Sequence, residues 1–118
     1  MTRMIYLASP YSHEDKDIRQ MRFTTVCIVA AKLLNKGLLV FSPIAHTHWI
    51  AVYGQLETGF NRWRELDEAM IDRCTEMYVL CIQGWKESKG VQHEIQYAND
   101  IGLPVKYIDL SGNEIEVC

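Results

Sequence analysis

The chain opens on a short apolar run, Met4-Ile5-Tyr6-Leu7-Ala8, which is closed by the turn-forming pair Ser9-Pro10. A run of this length that ends in a proline-containing turn is typical of a buried β-strand. Comparable runs follow at Leu38–Phe41, Met77–Ile82 and Leu103–Ile108. Because these runs are continuously apolar rather than alternating, they predict a sheet that is covered on both faces.

Helical patterns separate the predicted strands. Apolar residues recur every three to five positions from Asp15 to Lys36, and Gly37 follows where a helix commonly ends. Further helices are predicted at Arg62–Arg73, with Asn61 as the cap, and at Val91–Ile101. Strands that alternate with helices indicate βαβ units. We therefore predict an α/β fold, a doubly wound, flavodoxin-like or Rossmann-like parallel sheet of four to five strands with helices on both faces.

Two segments have less regular patterns. Ile44–Phe60 is rich in aromatic residues and histidines and contains two glycines, and its pattern leaves helix and loop both open. Ser111-Gly112-Asn113 indicates a turn, after which a last short strand is predicted at Glu114–Val117. We expect residues 1–118 to form a single domain, since no repeat or linker interrupts them.

Composition and charge exclude several classes of protein. The 118 residues are 48% apolar and 23% charged, which is ordinary for one globular domain. The net charge of −3 argues against binding of a nucleic-acid polymer, which requires a basic surface. The longest apolar stretch, Val26–Leu34, contains Lys32 and is far shorter than the roughly 20 residues of a membrane span. With no signal-peptide pattern at its start, the sequence predicts a cytoplasmic protein without membrane contacts.

The four cysteines are Cys27, Cys74, Cys81 and Cys118, and no two of them form a CxxC pair. A reactive thiol is one interpretation of such residues. The favoured one is that they are small buried apolar side chains in a reducing compartment.

Parallel sheets bind ligands beyond the carboxyl ends of their strands, which selects three segments: Ala8–Glu14, Phe41–His48 and Gln83–Glu94. The first is rich in hydroxyl groups and leads into a helix, so it suits a phosphate or a sugar hydroxyl, or simply caps the helix. It lacks the glycine patterns of dinucleotide-binding and P-loop proteins.

The second segment contains the pair His46 and His48. On a strand this spacing places two rings on one face, as a metal site requires, but no third ligand follows at a recognisable distance. Substrate contact or a structural role is therefore favoured, and we expect neither a metal nor a cofactor.

The third segment places Ser88 and Gly90 immediately before a helix and Glu94 about one turn inside it. Asp67 lies on the preceding helix, from which its carboxylate can reach the same edge of the sheet. Two carboxylates in different surroundings are what glycosidic-bond chemistry uses, one as nucleophile and one to move the proton. The alternative is that Glu94 is an ordinary solvated helix residue.

At these residues the chain resembles the nucleoside 2-deoxyribosyltransferase superfamily, which includes base-exchanging transferases and nucleoside 5′-monophosphate N-glycosidases. The resemblance lies in the Tyr6–Ser12 opening, in Asp67, and in the run Ser88-x-Gly90-x-x-x-Glu94-x-x-x-Ala98. It covers nearly the whole chain and is strongest at residues 4–14 and 62–108.

The resemblance implies a role for each matching residue. Glu94 matches the glutamate that attacks the anomeric carbon of the sugar, and Tyr6 matches a tyrosine whose hydroxyl lies beside that nucleophile. Asp67 matches the aspartate that helps to transfer a proton to the departing base, with Asp72 as the competing candidate.

Substrate contacts are implied for a second group of residues. Ser88 matches a serine that binds the 5′ end of the substrate, and Ser9 and Ser12 lie in the loop that cradles phosphate in the monophosphate hydrolases. We add Gly90, beside Ser88, and His46 as substrate-binding residues.

The chain departs from that pattern at several positions. Pro10, Tyr11 and His13 stand where the hydrolases carry glycine and arginine, and Thr75 and Glu76 stand where an aspartate commonly precedes the strand. These departures affect the expected substrate more than the expected chemistry.

The sequence thus predicts an enzyme that cleaves the N-glycosidic bond of a nucleoside or nucleotide, by hydrolysis or base exchange. The base, the sugar and the need for a 5′-phosphate stay open. The alternatives are a nucleotide-binding or sensing module without turnover, and a metal-dependent hydrolase that uses His46, His48 and His93. The resemblance also implies a homodimer or larger homo-oligomer, with Trp49–Phe60 as its contact or as a lid.

Overall fold

The part of the chain that the structure describes forms five strands and four helices. The computed structural model describes residues 2–57 and 59–117, so Cys118 lies outside the described residues. The strands are β1 (Ile5–Ala8), β2 (Val40–Phe41), β3 (Glu76–Leu80), β4 (Val105–Ile108) and β5 (Glu114–Ile115). The helices are α1 (Lys16–Asn35), α2 (Pro43–Gly54), α3 (Phe60–Asp72) and α4 (Lys89–Asp100).

The strands form one sheet in the order β2-β1-β3-β4-β5. The first four run parallel, which confirms the predicted α/β class, whereas β5 pairs with β4 antiparallel, so the sheet is mixed. The reversal follows from a tight turn, in which the Asp109 carboxylate accepts hydrogen bonds from the backbone N–H groups of Ser111 and Asn113. Gly112 completes the turn at φ 81°, a conformation that favours glycine.

Alternate residues of β1 face opposite layers of helices, as the prediction of helices on both faces requires. Ile5 and Leu7 pack with α1, and α2 lies on the same side, where Ile44 packs against that core. Tyr6 and Ala8 pack on the other side, against α3 and α4. The helix residues buried in these two cores are Val26, Val29 and Leu33 of α1, Ile71 of α3, and Val91 and Ala98 of α4.

The ambiguous segment after β2 is largely a helix. The Ser42 hydroxyl accepts a hydrogen bond from Ala45 N at 3.1 Å, and Pro43 occupies the first turn, where its missing N–H costs nothing. The helix ends at Gly54, and the C-cap residue Gln55 has a left-handed φ of 55°. Its outward side leaves Trp49, Val52 and Tyr53 exposed. The predicted homo-oligomer that would use this segment stays a prediction.

The start of α3 corrects one prediction. Asn61 is not the cap, because the helix begins at Phe60 with Gly59 as its N-cap and without a side-chain capping bond. The Trp63 indole instead donates to the backbone carbonyl of Glu57 at 2.9 Å, which ties the preceding segment to the first turn. The other predicted boundaries lie within two residues of those observed.

The described cysteines fit the structural interpretation. Cys74 is buried, Cys27 and Cys81 are half-buried, and burial raises the pKa of all three thiols.

Among the described residues no helix combines the length and apolar character needed to cross a membrane.

Two adjacent leucines of α1 provide a test of this packing. Leu33 is 0% exposed and Leu34 is 51% exposed. Leu33→Ala should lower the free energy of unfolding by about 2–5 kcal/mol, because it leaves a cavity between α1 and the sheet. Leu34→Ala should change it by less than about 0.5 kcal/mol. Urea unfolding followed by circular dichroism measures both, and equal losses would contradict the placement of α1.

Candidate active site

A cavity of about 350 Å³ lies where the carboxyl ends of β1 and β3 meet α2, α3 and the start of α4. In parallel sheets, ligands bind at the carboxyl ends of the strands, at the point where the strand order reverses. That point lies at β1, because β2 is on one side of it and β3 is on the other. The side chains that line it are Ser9, Tyr11, Ser12, Pro43, Ile44, Thr47, His48, Ala51, Phe60, Trp63, Arg64, Asp67, Glu68, Glu87, Ser88, Lys89, Val91, His93 and Glu94, together with Gly59 and Gly90.

Glu94 places a buried carboxyl group at the wall of this cavity. The residue is only 7% exposed, although it belongs to a helix whose other polar residues mostly face solvent. The hydroxyl of Tyr6, a fully buried residue of β1, donates a hydrogen bond to Glu94 Oε2. Burial and the neighbouring carboxylates raise the pKa of Tyr6, so the phenol keeps its proton and acts as a donor.

Asp67 completes a pair of carboxyl groups. Its side chain reaches across from α3 and is hydrogen-bonded to the Glu94 carboxyl. The pKa of Glu94 is raised mainly by burial and secondly by the charge of Asp67. The pKa of Asp67 is raised mainly by burial and secondly by the charge of Glu68. Two such groups in contact do not both ionise at neutral pH, so they share one proton and carry about one negative charge.

Asp72, the competing candidate, lies elsewhere. Its carboxylate accepts a hydrogen bond from the Tyr97 hydroxyl at 2.6 Å on the exposed side of α3 and α4. It does not line the cavity. The structure therefore brings Asp67, and not Asp72, to Glu94.

Ser88 and Gly90 lie at the start of α4, on the cavity wall. Ser88 is the N-cap of the helix, and its hydroxyl accepts a hydrogen bond from Val91 N at 3.2 Å. A Cβ atom at Gly90 would meet nothing closer than Ser88 Oγ at 3.9 Å, so the packing of the chain itself does not require glycine there.

The first loop also lines the cavity, through Ser9 and Ser12. Ser9 is buried, and within the described ranges its hydroxyl has no hydrogen-bond partner. Two arginines of α1 hold the loop from behind: Arg22 donates to the carbonyl of Ser12 at 2.9 Å, and Arg19 donates to the carbonyls of His13 and Glu14. The guanidinium groups thus come from the helix and bind the backbone of the loop.

The two histidines of α2 lie in different surroundings, and only one of them lines the cavity. His46 does not line the cavity, and its ring packs against Phe41 at 5.8 Å between centroids. His48 does line it, stacked on Phe23 at 3.9 Å and with Nδ1 2.7 Å from the Tyr11 hydroxyl. Burial lowers the pKa of His48, which favours a neutral ring. In residues 2–57 and 59–117, no three His, Cys, Asp or Glu side chains are grouped as a metal site would require.

Beside the buried carboxyl groups lies a second pair, His93 and Glu68. Sequence reasoning named His93 only as a ligand in the metal-dependent alternative and assigned no role to Glu68. His93 Nε2 is 2.5 Å from Glu68 Oε2, and Arg64 Nε donates to the same oxygen at 3.2 Å. These side chains line the cavity. The available signal was adjacency, since Glu68 follows Asp67 and His93 precedes Glu94.

Comparison with known proteins places this architecture in a family. The family model described as "Domain of unknown function (DUF1937)" matches residues 3–109. The chain belongs to the DUF1937 family. Among curated proteins, no sequence matches this DUF1937 member.

A solved structure shares its fold. The 2-deoxyribosyltransferase from the psychrotolerant bacterium Bacillus psychrosaccharolyticus superposes with a TM-score of 0.63 and 23% sequence identity, over 96% of this DUF1937 chain and 77% of the other. At that identity the similarity establishes the α/β fold.

The carboxyl pair predicts a particular pH dependence of stability. Because the pKa values of Glu94 and Asp67 are raised in the folded state, the folded protein binds more protons than the unfolded chain as pH rises from the ordinary carboxyl range to neutral. Stability therefore falls over that interval. Glu94→Gln removes one of the two groups and therefore part of this loss. The free energy of unfolding of the variant minus that of the wild type should increase by roughly 1–3 kcal/mol as pH rises from 5 to 8.

Urea unfolding across that pH range measures the difference. Glu65→Gln, at an exposed carboxylate of α3, is the matched control and should show no such trend. A difference between Glu94→Gln and wild type that stays constant with pH would contradict the shared proton.

Proposed function

We propose that this DUF1937 protein cleaves the N-glycosidic bond of a nucleoside or nucleoside 5′-monophosphate, with Glu94 as the nucleophile. The observation that carries the proposal is the buried Glu94 carboxyl, which is held by the Tyr6 hydroxyl and hydrogen-bonded to Asp67 at a cavity wall. The sequence motif and the fold shared with a 2-deoxyribosyltransferase support the same chemistry.

The first step uses both carboxyl groups. With the shared proton on Asp67, the Glu94 carboxylate attacks C1′ of the sugar while the bond from C1′ to the base nitrogen breaks. The electron pair of that bond goes to the base, and Asp67 supplies the proton. Burial and the neighbouring Asp67 raise the pKa of Glu94, whereas the hydrogen bond from Tyr6 lowers it and so favours the attacking carboxylate. The negative charge of the pair stabilises the developing oxocarbenium ion.

The second step releases the sugar. Water or a second base attacks C1′ of the glycosyl ester, and the bond to Glu94 breaks with return of its electron pair to the carboxylate. Two displacements at C1′ give retention of configuration. The cavity is of ligand-binding size, and the aromatic side chains of Phe60 and Trp63 suit a flat heterocycle.

The start of α4 supports acceptance of a 5′-phosphate. The positive end of its dipole favours an anion, and Ser88 and Lys89 lie on the cavity wall. Ser9 and Ser12 add hydroxyl groups from the first loop. We therefore propose the monophosphate as the better substrate of the two classes.

The function is tested by incubation with the four common 2′-deoxynucleosides, the ribonucleosides and their 5′-monophosphates, with chromatographic detection of free base. Wild type should release base from at least one of them. Glu94→Gln and Asp67→Asn should lower that rate by about 10²-fold or more, because they remove the nucleophile and the proton donor. Asp72→Asn, a matched change on the same helix outside the cavity, should leave it within about twofold.

The competing outcomes are distinct. Binding of nucleotides by thermal shift, with no base released above the Glu94→Gln background, would instead support a binding module without turnover. Equal losses in Asp67→Asn and Asp72→Asn would overturn the assignment of Asp67.

A further inference from the structure

We propose that His93 and Glu68 form a second acid–base couple of this site, in which His93 takes the proton from the water that hydrolyses the ester on Glu94. The proposal rests on the proposed function, and it concerns the second step alone. Nothing in the motif resemblance assigned a role in the reaction to either residue.

The contact between His93 and Glu68 lies next to the contact between the buried carboxyl groups, and each of its residues is a sequence neighbour of one of them. Asp67 and Glu68 are consecutive on α3, and Glu94 and His93 are consecutive on α4. The inner contact joins Asp67 to Glu94, and the outer contact joins Glu68 to His93 at 2.5 Å. Both contacts lie on the wall of the same cavity.

The hydrogen bond defines which nitrogen of His93 is available. An ionised carboxylate only accepts hydrogen bonds, and the bonds from His93 and Arg64 lower the pKa of Glu68, so Glu68 is ionised at neutral pH. His93 Nε2 therefore carries a hydrogen. In the neutral ring the lone pair then lies on Nδ1, for which the described part of the chain provides no hydrogen-bond partner.

His93 is more accessible to solvent than the other imidazole of the cavity wall, that of His48. The His93 side chain is 27% exposed and that of Glu68 is 23% exposed, so water reaches the couple. By contrast, the free Nε2 of His48 is shut off from solvent.

The surroundings of His93 hold its ring in place and supply a counter-charge beside it. The charged groups around it are Glu68 and Arg64 of α3, Lys89 of α4, which lies over the Phe60 ring, and the Asp67–Glu94 pair. Phe60 contacts the imidazole edge-on at 4.9 Å and fixes its plane. The carboxylate of Glu68 stabilises the imidazolium directly, which is how a carboxylate supports a histidine base.

The step balances as follows. An O–H bond of water breaks, its proton forms a bond to His93 Nδ1, and its oxygen forms a bond to C1′. The bond between C1′ and the Glu94 oxygen breaks, and its electron pair returns to Glu94 as carboxylate. The imidazolium then releases its proton to bulk water, from which Asp67 is protonated for the next turnover. With an acceptor base the step is the reverse of the first, so Asp67 and not His93 takes the ring N–H proton.

The test separates the two steps in His93→Gln, whose amide nitrogen keeps the hydrogen bond to Glu68 but whose side chain offers no base. With the deoxynucleotide or nucleoside that wild type cleaves fastest, the variant should still release about one equivalent of base per site in a rapid burst. Steady-state turnover should then fall by about 10²-fold. Intact-protein mass spectrometry should show the accumulated glycosyl ester, which Glu94→Gln cannot form.

Azide provides a readout that a structural role would not give. It is a nucleophile that needs no base, so it should restore turnover of His93→Gln and yield the glycosyl azide, while Asp67→Asn should gain nothing. Glu68→Gln should lose about tenfold, since the ring stays oriented without its counter-charge. Tyr97→Phe, which removes another contact between α3 and α4 outside the cavity, is the matched control and should behave as wild type.

Three results would overturn the inference: full turnover in His93→Gln, a loss of the burst as large as the loss of turnover, or a failure of azide to restore activity. Its failure is distinguishable from failure of the proposed function. In the latter case wild type releases no more base than Glu94→Gln from any substrate, and the inference falls with it.

Discussion

The hydrogen bond between Tyr6 and Glu94 is the contact on which the site depends. A carboxyl group that is only 7% exposed has lost most of its hydration, and burial without compensation costs several kcal/mol. The chain supplies that compensation from two sides, with a neutral phenol from the sheet and a second carboxyl group from α3. Both partners stabilise a group that, unpaired, would destabilise the core between the sheet and α4.

This contact constrains the fold in turn. Tyr6 reaches Glu94 because alternate residues of β1 face opposite layers, with Ile5 and Leu7 toward α1 and Tyr6 toward α3 and α4. A shift of one residue in the register of β1 would turn the phenol away from Glu94. The interior position of β1, which is hydrogen-bonded to both β2 and β3, fixes that register. The Ser88 cap fixes the start of α4 and, with it, the height of Glu94 above the sheet.

These constraints explain which features were predictable from the sequence. Apolar runs and helical periodicity are local signals, so the strands of the parallel sheet and the long helix α1 were predicted within two residues. The choice between Asp67 and Asp72 was not local. Five residues turn an α-helix by about 140°, so only the packing of α3 decides which carboxylate faces α4.

The histidines of α2 show the same limit. An HxH pair shares a face on a strand, but two residues on a helix lie about 200° apart. The segment is helical, so His46 packs against Phe41 and His48 reaches the cavity. Ser42 and Pro43 were readable as a helix start, yet the dense aromatic content of the segment hid the periodicity that would have confirmed it.

The two ends of the cavity wall carry opposite charge, which matches the charges of the proposed substrate during the reaction. The buried pair of α3 and α4 presents about one negative charge, suited to a cationic sugar, while Lys89 and the N-terminus of α4 present positive charge, suited to an anionic 5′ group. A net charge of −3 does not oppose such a ligand, because these groups act over a few ångströms, whereas the distant surface charges are screened within about 10 Å. The proposed recognition of an anionic 5′ group would therefore be decided within the cavity, by N–H groups, hydroxyls and one lysine.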